Sequence, residues 1–479
     1  MGLAGAAYGA EPTQQDLLDK INSLQAQVDA LKSQSVNQNA ATTAPTQASD
    51  EQISAATQQV LAQSDKSSGM DMGDWTAGYD AASRRFVIRD SDGNFTLRPW
   101  IHIQVRNSTA YRTDGQTQDG KLESDTENGF EIRRARLGFD GNLFTPNLTY
   151  FINWATLREN QNLTVKNGSS TVGTASVNVG GAPILEEAWI KYNFDGTPWY
   201  VHAGQMHDPL DHEAIIGSKY RAPEDSLQGD IFANTDTFTQ AATLIYDSKQ
   251  SLRTEGGITD GIRAANTNFQ DAPTTGIDYD WGVAGRVEYK VMGNWSDYNQ
   301  LTALNDKDDL LVFGAGADYS EGKVPTYFNQ LSHTLDVQYG SPSGLFLYGA
   351  YFGRYTDHNP GIVSGGPTST SIGSPGIAGQ DTYEYSGLLQ AAYLVPNTNM
   401  EPYVRGEYMS LKGLPAHSQG FISEISAGMN WYFYGHNVKW TNQVMYLPDG
   451  IPVNDDTNDV LISNDHTEAV FISQIQLLL

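Results

Sequence analysis

The chain has no cysteine among its 479 residues. That absence removes disulfide frameworks, thiolate metal sites and cysteine nucleophiles together. Positive charge is scarce: 29 Lys and Arg stand against 56 Asp and Glu, a formal charge of -27. Nucleic acid is excluded as a partner, because phosphate binding draws its affinity from clustered Lys and Arg. Charged residues of both signs reach only 18%, below the usual ~25% of soluble domains. No run approaches the ~18 apolar residues that a transmembrane helix needs. Glycine (47) and tyrosine (25) are plentiful instead, as in strand-rich chains.

The amino-acid pattern divides the chain unevenly. Residues 1–10 are small and apolar and read as the tail of a secretory signal, which places the mature protein in an exported compartment. Residues 11–33 carry Leu17, Ile21, Leu24, Val28 and Leu31 at alternating spacings of four and three. That is an a/d seam, with Thr13 and Asp16 at its start as a cap, and predicts a short coiled-coil stub. Two heptads are too short to hold an oligomer alone, so the stub makes sense hung on a larger assembly. Residues 34–90 read as a low-complexity linker with a short helix at 51–63.

From about residue 91 to 479 the period is two. Along Tyr279–Val291 the odd positions are mostly large and apolar (Trp281, Val283, Val287, Tyr289), and the even positions small or charged (Asp280, Gly282, Ala284, Arg286, Glu288, Lys290). Thirteen alternating residues exceed the ~5–6 of an ordinary strand and match the ~9–11 that cross a bilayer at a tilt. Segments of this kind recur sixteen times, and the connections between them alternate long and short except at 292–308. An even strand number with alternating loop lengths predicts an all-β, sixteen-stranded antiparallel transmembrane barrel. Both ends of such a barrel lie on the short-turn side, where the coiled-coil stub would then extend into the periplasm.

Three stretches carry a resemblance: Phe130-Glu-Ile-Arg-Arg-Ala-Arg-Leu-Gly-Phe-Asp-Gly141, Glu187-Ala-Trp-Ile-Lys-Tyr192 with Val201-His-Ala-Gly-Gln205, and Gly428-Met-Asn-Trp-Tyr-Phe-Tyr-Gly-His-Asn-Val-Lys-Trp440. The sequence from about 90 onward resembles the phosphate-selective porin O and P family of Gram-negative outer membranes. The resemblance implies a homotrimeric sixteen-stranded porin in outer-membrane lipid and lipopolysaccharide, with loops folded into the channel and Arg and Lys on the inner wall.

The face with fewer large apolar residues is assigned to the channel. Its bases are Arg98, Arg106, Arg134, Arg136, Lys191, Arg253, Arg286, Lys290, Arg354, Arg405 and Lys439; its acids are Glu187, Glu255, Asp280, Glu288, Asp336, Glu384, Glu407 and Glu424. A run of guanidiniums would carry phosphate by bidentate hydrogen bonding, and a mixed wall suits a general water-filled pore equally well. The segment 206–236 follows the fifth strand and is the candidate constriction, through Asp208, Asp211, Glu213, Lys219, Arg221, Glu224 and Asp225. With the acid-rich 113–129 and 448–467 it predicts an acidic outer mouth that concentrates cations. Ca²⁺ or Mg²⁺ at these acidic loops is the one cofactor expectation.

Other motifs fall short. Asp90-Ser-Asp-Gly-Asn94 lacks the closing Glu of a calcium loop, having Ile101 there, and reads as a turn. His207, His212 and Glu213 lack zinc-protease spacing. With no nucleophile–base constellation, the chain reads as a channel and not an enzyme. A structural role, tying the membrane to peptidoglycan through the coiled coil, is compatible with a channel in the same molecule.

Overall fold

A computed structural model describes residues 70–71 and 74–479, apart from 81–84, 114–116, 119–120, 123–124, 157–160, 168–169, 178–181, 224, 231–237, 263–278, 305–307, 323–328, 358–380, 413–419, 452–457, 462 and 464–465. The signal tail, the coiled-coil stub and the 51–63 helix lie outside the described residues.

Sixteen strands form the barrel: β1 (Thr96–Arg112), β2 (Thr126–Asn142), β3 (Leu148–Thr156), β4 (Pro183–Asn193), β5 (Trp199–His207), β6 (Phe238–Asp247), β7 (Leu252–Thr259), β8 (Tyr279–Met292), β9 (Leu310–Gly322), β10 (Asn329–Gly340), β11 (Leu345–Asp357), β12 (Thr382–Tyr393), β13 (Met400–Ser410), β14 (Phe421–Tyr432), β15 (Val438–Leu447) and β16 (Glu468–Leu478). Each pairs antiparallel with its sequence neighbour. β16 then returns to β1, from Glu468 opposite Arg112 to Leu478 opposite His102, so the sheet closes without an edge. Closure satisfies every ladder donor and acceptor inside hydrocarbon, where an unpaired backbone group is costly.

The alternation sorts the two faces. On β8, Val283, Val287 and Tyr289 are 47%, 49% and 53% exposed, while Ala284 and Arg286 are 2% and 4%. The exposed face is an apolar belt, and the buried face looks into the barrel. Gly204 of β5 has a φ of +136°, and a Cβ there would lie 2.2 Å from the Ala188 carbonyl oxygen. Gly204→Ala is therefore expected to reduce the yield of folded barrel, read as loss of the compact, heat-modifiable band on gel electrophoresis.

The turn end carries short connections such as 143–147, 194–198 and 341–344, and one long one, 293–309. The long one is genuine: it forms a helix, α2 (Trp295–Tyr298), and turns inward, burying Tyr298, Leu301 and Ala303. The opposite, loop end bears the long segments. Between β5 and β6 the chain enters the barrel as α1 (His212–Ile216) and a single 3-10 turn, Ser218–Tyr220.

The expected linker ends before residue 90. Trp75–Asp80 and Arg85–Asp90 pair as a hairpin that continues onto β1 through Ile88 opposite Leu97. Six-residue strands with little alternation hide such a hairpin. Its anchor is ionic, since Arg85 and Arg98 share the Asp140 carboxylate. Asp90–Asn94 forms the turn between the hairpin and β1, with Gly93 at φ +73°.

Candidate functional site: the filled barrel interior

The inner face of β1 and β2 is built around Asp225, which lies on the inward-folded segment between β5 and β6. Its carboxylate accepts from Arg106 Nη1 at 2.9 Å, Arg133 Nε at 3.1 Å and Arg134 Nη2 at 2.6 Å. Alternation allows only one of Arg133 and Arg134 to point inward. The ladder slips between Gln104 opposite Arg134 and Val105 opposite Ile132, and this bulge turns both inward. A second bulge, between Leu185 and Glu187, turns Glu186 inward to meet Arg136 at 2.7 Å. Reasoning by strict alternation missed Arg133 and Glu186. The signal was present as two adjacent like charges in mid-strand, since a charge left on the lipid face costs about 2–4 kcal/mol near the midplane.

The opposite wall holds the same segment from its other side. Arg405 of β13 donates to both oxygens of Glu213, at 2.8 and 2.9 Å, and reaches Glu407 at 2.6 Å. Glu407 accepts from Ser226 Oγ and from the Gln228 backbone N–H. Lower down, Lys439 Nζ donates to the Arg221 carbonyl at 2.8 Å and Asn430 Nδ2 to the Ala222 carbonyl at 3.1 Å. The Arg221 guanidinium donates to the Glu213 carbonyl at 2.6 Å. The tip then meets the inward turn: Ala222 and Leu301 exchange a backbone bond, Leu301 N–H bonds Tyr220 O, and Arg221 bridges Leu301. His436 Nε2 lies 3.2 Å from Gln300 Oε1, holding that turn from the β14–β15 connection.

The remaining wall residues fall into two groups. Arg286 with Asp336 and Glu288, and Arg354 with Glu384, are ion-paired at 2.8, 2.7 and 3.0 Å. Lys191, Arg253 and Lys290 stand in a less crowded arc along β4–β8. There Arg253 sits 4.0 Å from the Trp295 ring and Lys290 bonds the Gly293 carbonyl. Lys219 points at the rings of Trp100 and Tyr220.

Two expectations change. Asp280 does not face the interior: the ladder slips between Tyr279 and Trp281, leaving Asp280 exposed while Tyr279 turns in to bond Gln330. The acidic outer mouth also fails for the 206–236 segment. Asp208, Asp211, Glu213 and Asp225 are all buried, and Glu213 and Asp225 neutralise wall arginines rather than face solvent. Burying a carboxylate without a cation would cost several kcal/mol, so Glu213 and Asp225 go where the guanidiniums are. Glu224 lies outside the described residues. Asp459 of the last loop likewise folds in, 2.9 Å from Arg106. Among the described residues, no group of three His, Asp or Glu is set to hold a metal.

The electrostatics of the inward segment give a pH dependence. Burial, then Glu213 and Asp336, raises the Asp211 carboxyl to about 6. Burial and Asp318 raise Asp208 in the same sense. Glu213 is held below its usual value because Arg405 and Arg221 outweigh burial, and Asp225 well below because Arg133, Arg134 and Arg106 do. A carboxyl raised on docking binds its proton more tightly docked than free. Its contribution is present below the free value near 4 and lost as pH rises through about 6, while Glu213 and Asp225 stay ionised across that window. The segment is thus expected to dock more tightly at pH 5 than at pH 7, seen as slower protease cleavage within 208–230, with Asp211→Asn flattening the response.

A closed barrel with a polar, charged interior, entered by a loop after the fifth strand, has the construction of a water-filled channel. Residues 105–275 match the family model of phosphate-selective porin O and P. The fold is that of an outer-membrane porin barrel. An anion-selective porin from Comamonas acidovorans shares its fold, with a TM-score of 0.51 at 11% identity over 80% of this chain and 100% of that one. Salmonella typhi OmpF in complex with daunomycin superposes at 0.49 with 15% identity, over 81% and 99% of the two chains. Pseudomonas putida OprB at high pH gives 0.49 with 11% identity, over 79% and 94%. No curated protein matches the chain.

Proposed function

We propose that the chain is an outer-membrane porin for passive diffusion of small hydrophilic solutes and ions, a general, weakly charge-selective pore whose conducting lane runs along β3–β8, beside the inward segment. The observation that carries this is the uneven filling of the barrel. Side chains of Arg354, Arg405 and Lys439 on the far wall are 0–1% exposed, whereas Arg253 and Glu255 keep 28% and 26%. A cavity of about 370 Å³ opens on that side, between Lys191, Tyr200, Asp247, Arg253 and Glu255 of the wall and His212, Ile215 and Ile216 of the inward segment. Its charges are mixed, and the guanidiniums that could pass phosphate along are engaged: Arg134 with Asp225, Arg136 with Glu186. Engaged guanidiniums favour a general pore over a phosphate-specific one.

The assembly we infer is a homotrimer in outer-membrane lipid, with the N-terminal extension on the periplasmic side. Supporting this, β1 begins and β16 ends at the turn end, which faces the periplasm in barrels of this kind. Planar-bilayer recording tests the whole reading. A salt gradient should give a reversal potential far from ideal selectivity, and millimolar phosphate should leave the chloride current intact. A purified oligomer that never conducts would sink it.

A further inference from the structure

We propose that the inner wall carries a binding stripe for ring-bearing organic carboxylates, formed by Trp100, Phe151, Trp189 and His202 with Lys191 and Lys219. The proposal rests on the channel reading above. The four rings come from β1, β3, β4 and β5 and make one continuous chain. Trp100 and Phe151 stack with centroids 5.7 Å apart, Phe151 and Trp189 at 5.4 Å, and His202 meets Trp189 edge-on at 4.8 Å. The intervening strand β2 has Gly138 opposite Trp100, and a Cβ there would lie 2.4 Å from the indole. That glycine is what lets Trp100 reach across β2 to Phe151.

Other aromatic side chains inside the barrel, such as Phe346, Tyr348 and Phe352, are fully packed, so a stripe left partly open needs a reason. Aromatic side chains would bury more area facing lipid, and the outward face already has its own. Phe151, Trp189 and His202 instead keep part of their surface open inside the barrel. Two ammonium groups stand over the stripe, Lys191 Nζ at 5.5 Å from the Trp189 ring and Lys219 Nζ at 4.8 Å from the Trp100 ring. Neither lysine has an ion pair among the described residues. The nearby acids are engaged: Glu186 with Arg136, Glu187 with the Trp189 N–H at 3.1 Å, and Glu255 with His202 at 3.1 Å and Thr243 at 2.6 Å. The Trp100 indole N–H is buried and has no hydrogen-bond partner among the described residues. Unspent positive charge and an unspent donor beside an apolar ring surface fit one ligand chemistry, a flat ring bearing a carboxylate. The ring would lie against Phe151 and Trp189, and the carboxylate would reach an ammonium.

Benzoate is the test probe, with acetate (charge without a ring) and benzyl alcohol (ring without charge) as controls. Millimolar benzoate added to full-length protein in a bilayer should interrupt the potassium chloride current reversibly, and neither control should. Trp189→Ala is expected to raise the half-blocking concentration about tenfold, the loss of one good ring contact. Lys191→Gln combined with Lys219→Gln should abolish the difference between benzoate and benzyl alcohol. Ile190→Ala, whose side chain faces outward beside the stripe, should change nothing. Calorimetric titration of the detergent-solubilised protein reads binding independently of conduction. A protein that binds benzoate but carries no current would spare the stripe and sink the channel reading. Equal block by benzoate and acetate, or binding unaltered in a folded Trp189→Ala, would overturn the stripe.

Discussion

Asp225→Ala is expected to raise the single-channel conductance by releasing the inward segment from β1 and β2. One carboxylate there bridges three guanidiniums, of which Arg106 also meets Glu131 and Asp459, and the Asp225, Arg106, Arg133 and Arg134 side chains are all buried. Removing one partner of such a cluster typically costs about 3–5 kcal/mol, because the surviving charges keep their desolvation and lose their compensation. The cost falls on the docking of the segment and not on the barrel, since the sixteen ladders do not use Asp225. Arg106, Arg133 and Arg134 would rehydrate as the segment lifts away, leaving a wider and more basic lane. The compact electrophoretic band should persist, the conductance should rise, and the reversal potential should move toward anions. Conductance equal to wild type, with the 208–230 segment still resistant to protease, would refute the clamp.

The second large effect is expected at Arg405. Its guanidinium bridges Glu213 on the segment to Glu407 on the wall, and Glu424 lies directly across the ladder from Glu407. Arg405→Ala leaves Glu407 without its guanidinium and Glu213 with only the more distant Arg221, 3.9 Å away. The segment should detach from β13, and the freed acids should turn the pore toward cations, the opposite sign to Asp225→Ala. Arg405→Lys restores the charge without the two-pronged geometry and should rescue only part of the change. Paired reversal-potential measurements on the two alanine variants therefore check both anchors at once: shifts of the same sign would contradict the arrangement.

Much of this architecture is legible in the amino-acid pattern. The sixteen strands follow from period-two alternation, because lipid on one side and water on the other leave no freedom in which residues go where. The 293–309 turn was legible as an anomaly: it broke the alternation of connection lengths because it does a different job, folding into the barrel. Reading charge position from alternation alone failed wherever a bulge intervenes, as at Arg133, Glu186 and Asp280. It failed again for the acids of the 206–236 segment, because their pairing with Arg106, Arg133, Arg134 and Arg405 spans up to 192 residues of sequence and no local pattern encodes it. Two of the three stretches that carried the family resemblance, 130–141 and 428–440, turn out to be complementary docks. Arg133, Arg134 and Arg136 hold one side of the segment, and Asn430, His436 and Lys439 hold the other side and the turn beneath it.

The contact between Leu301 and the Tyr220–Ala222 tip has a mechanical consequence. A loop fixed only where it leaves the wall is a cantilever, whose free end swings and modulates the current. This one rests on a strut rising from the opposite mouth, so it behaves as a beam supported at both ends, which deflects far less under the same thermal load. The open-channel current should therefore be quiet, and shortening the strut should make it flicker before it makes it larger.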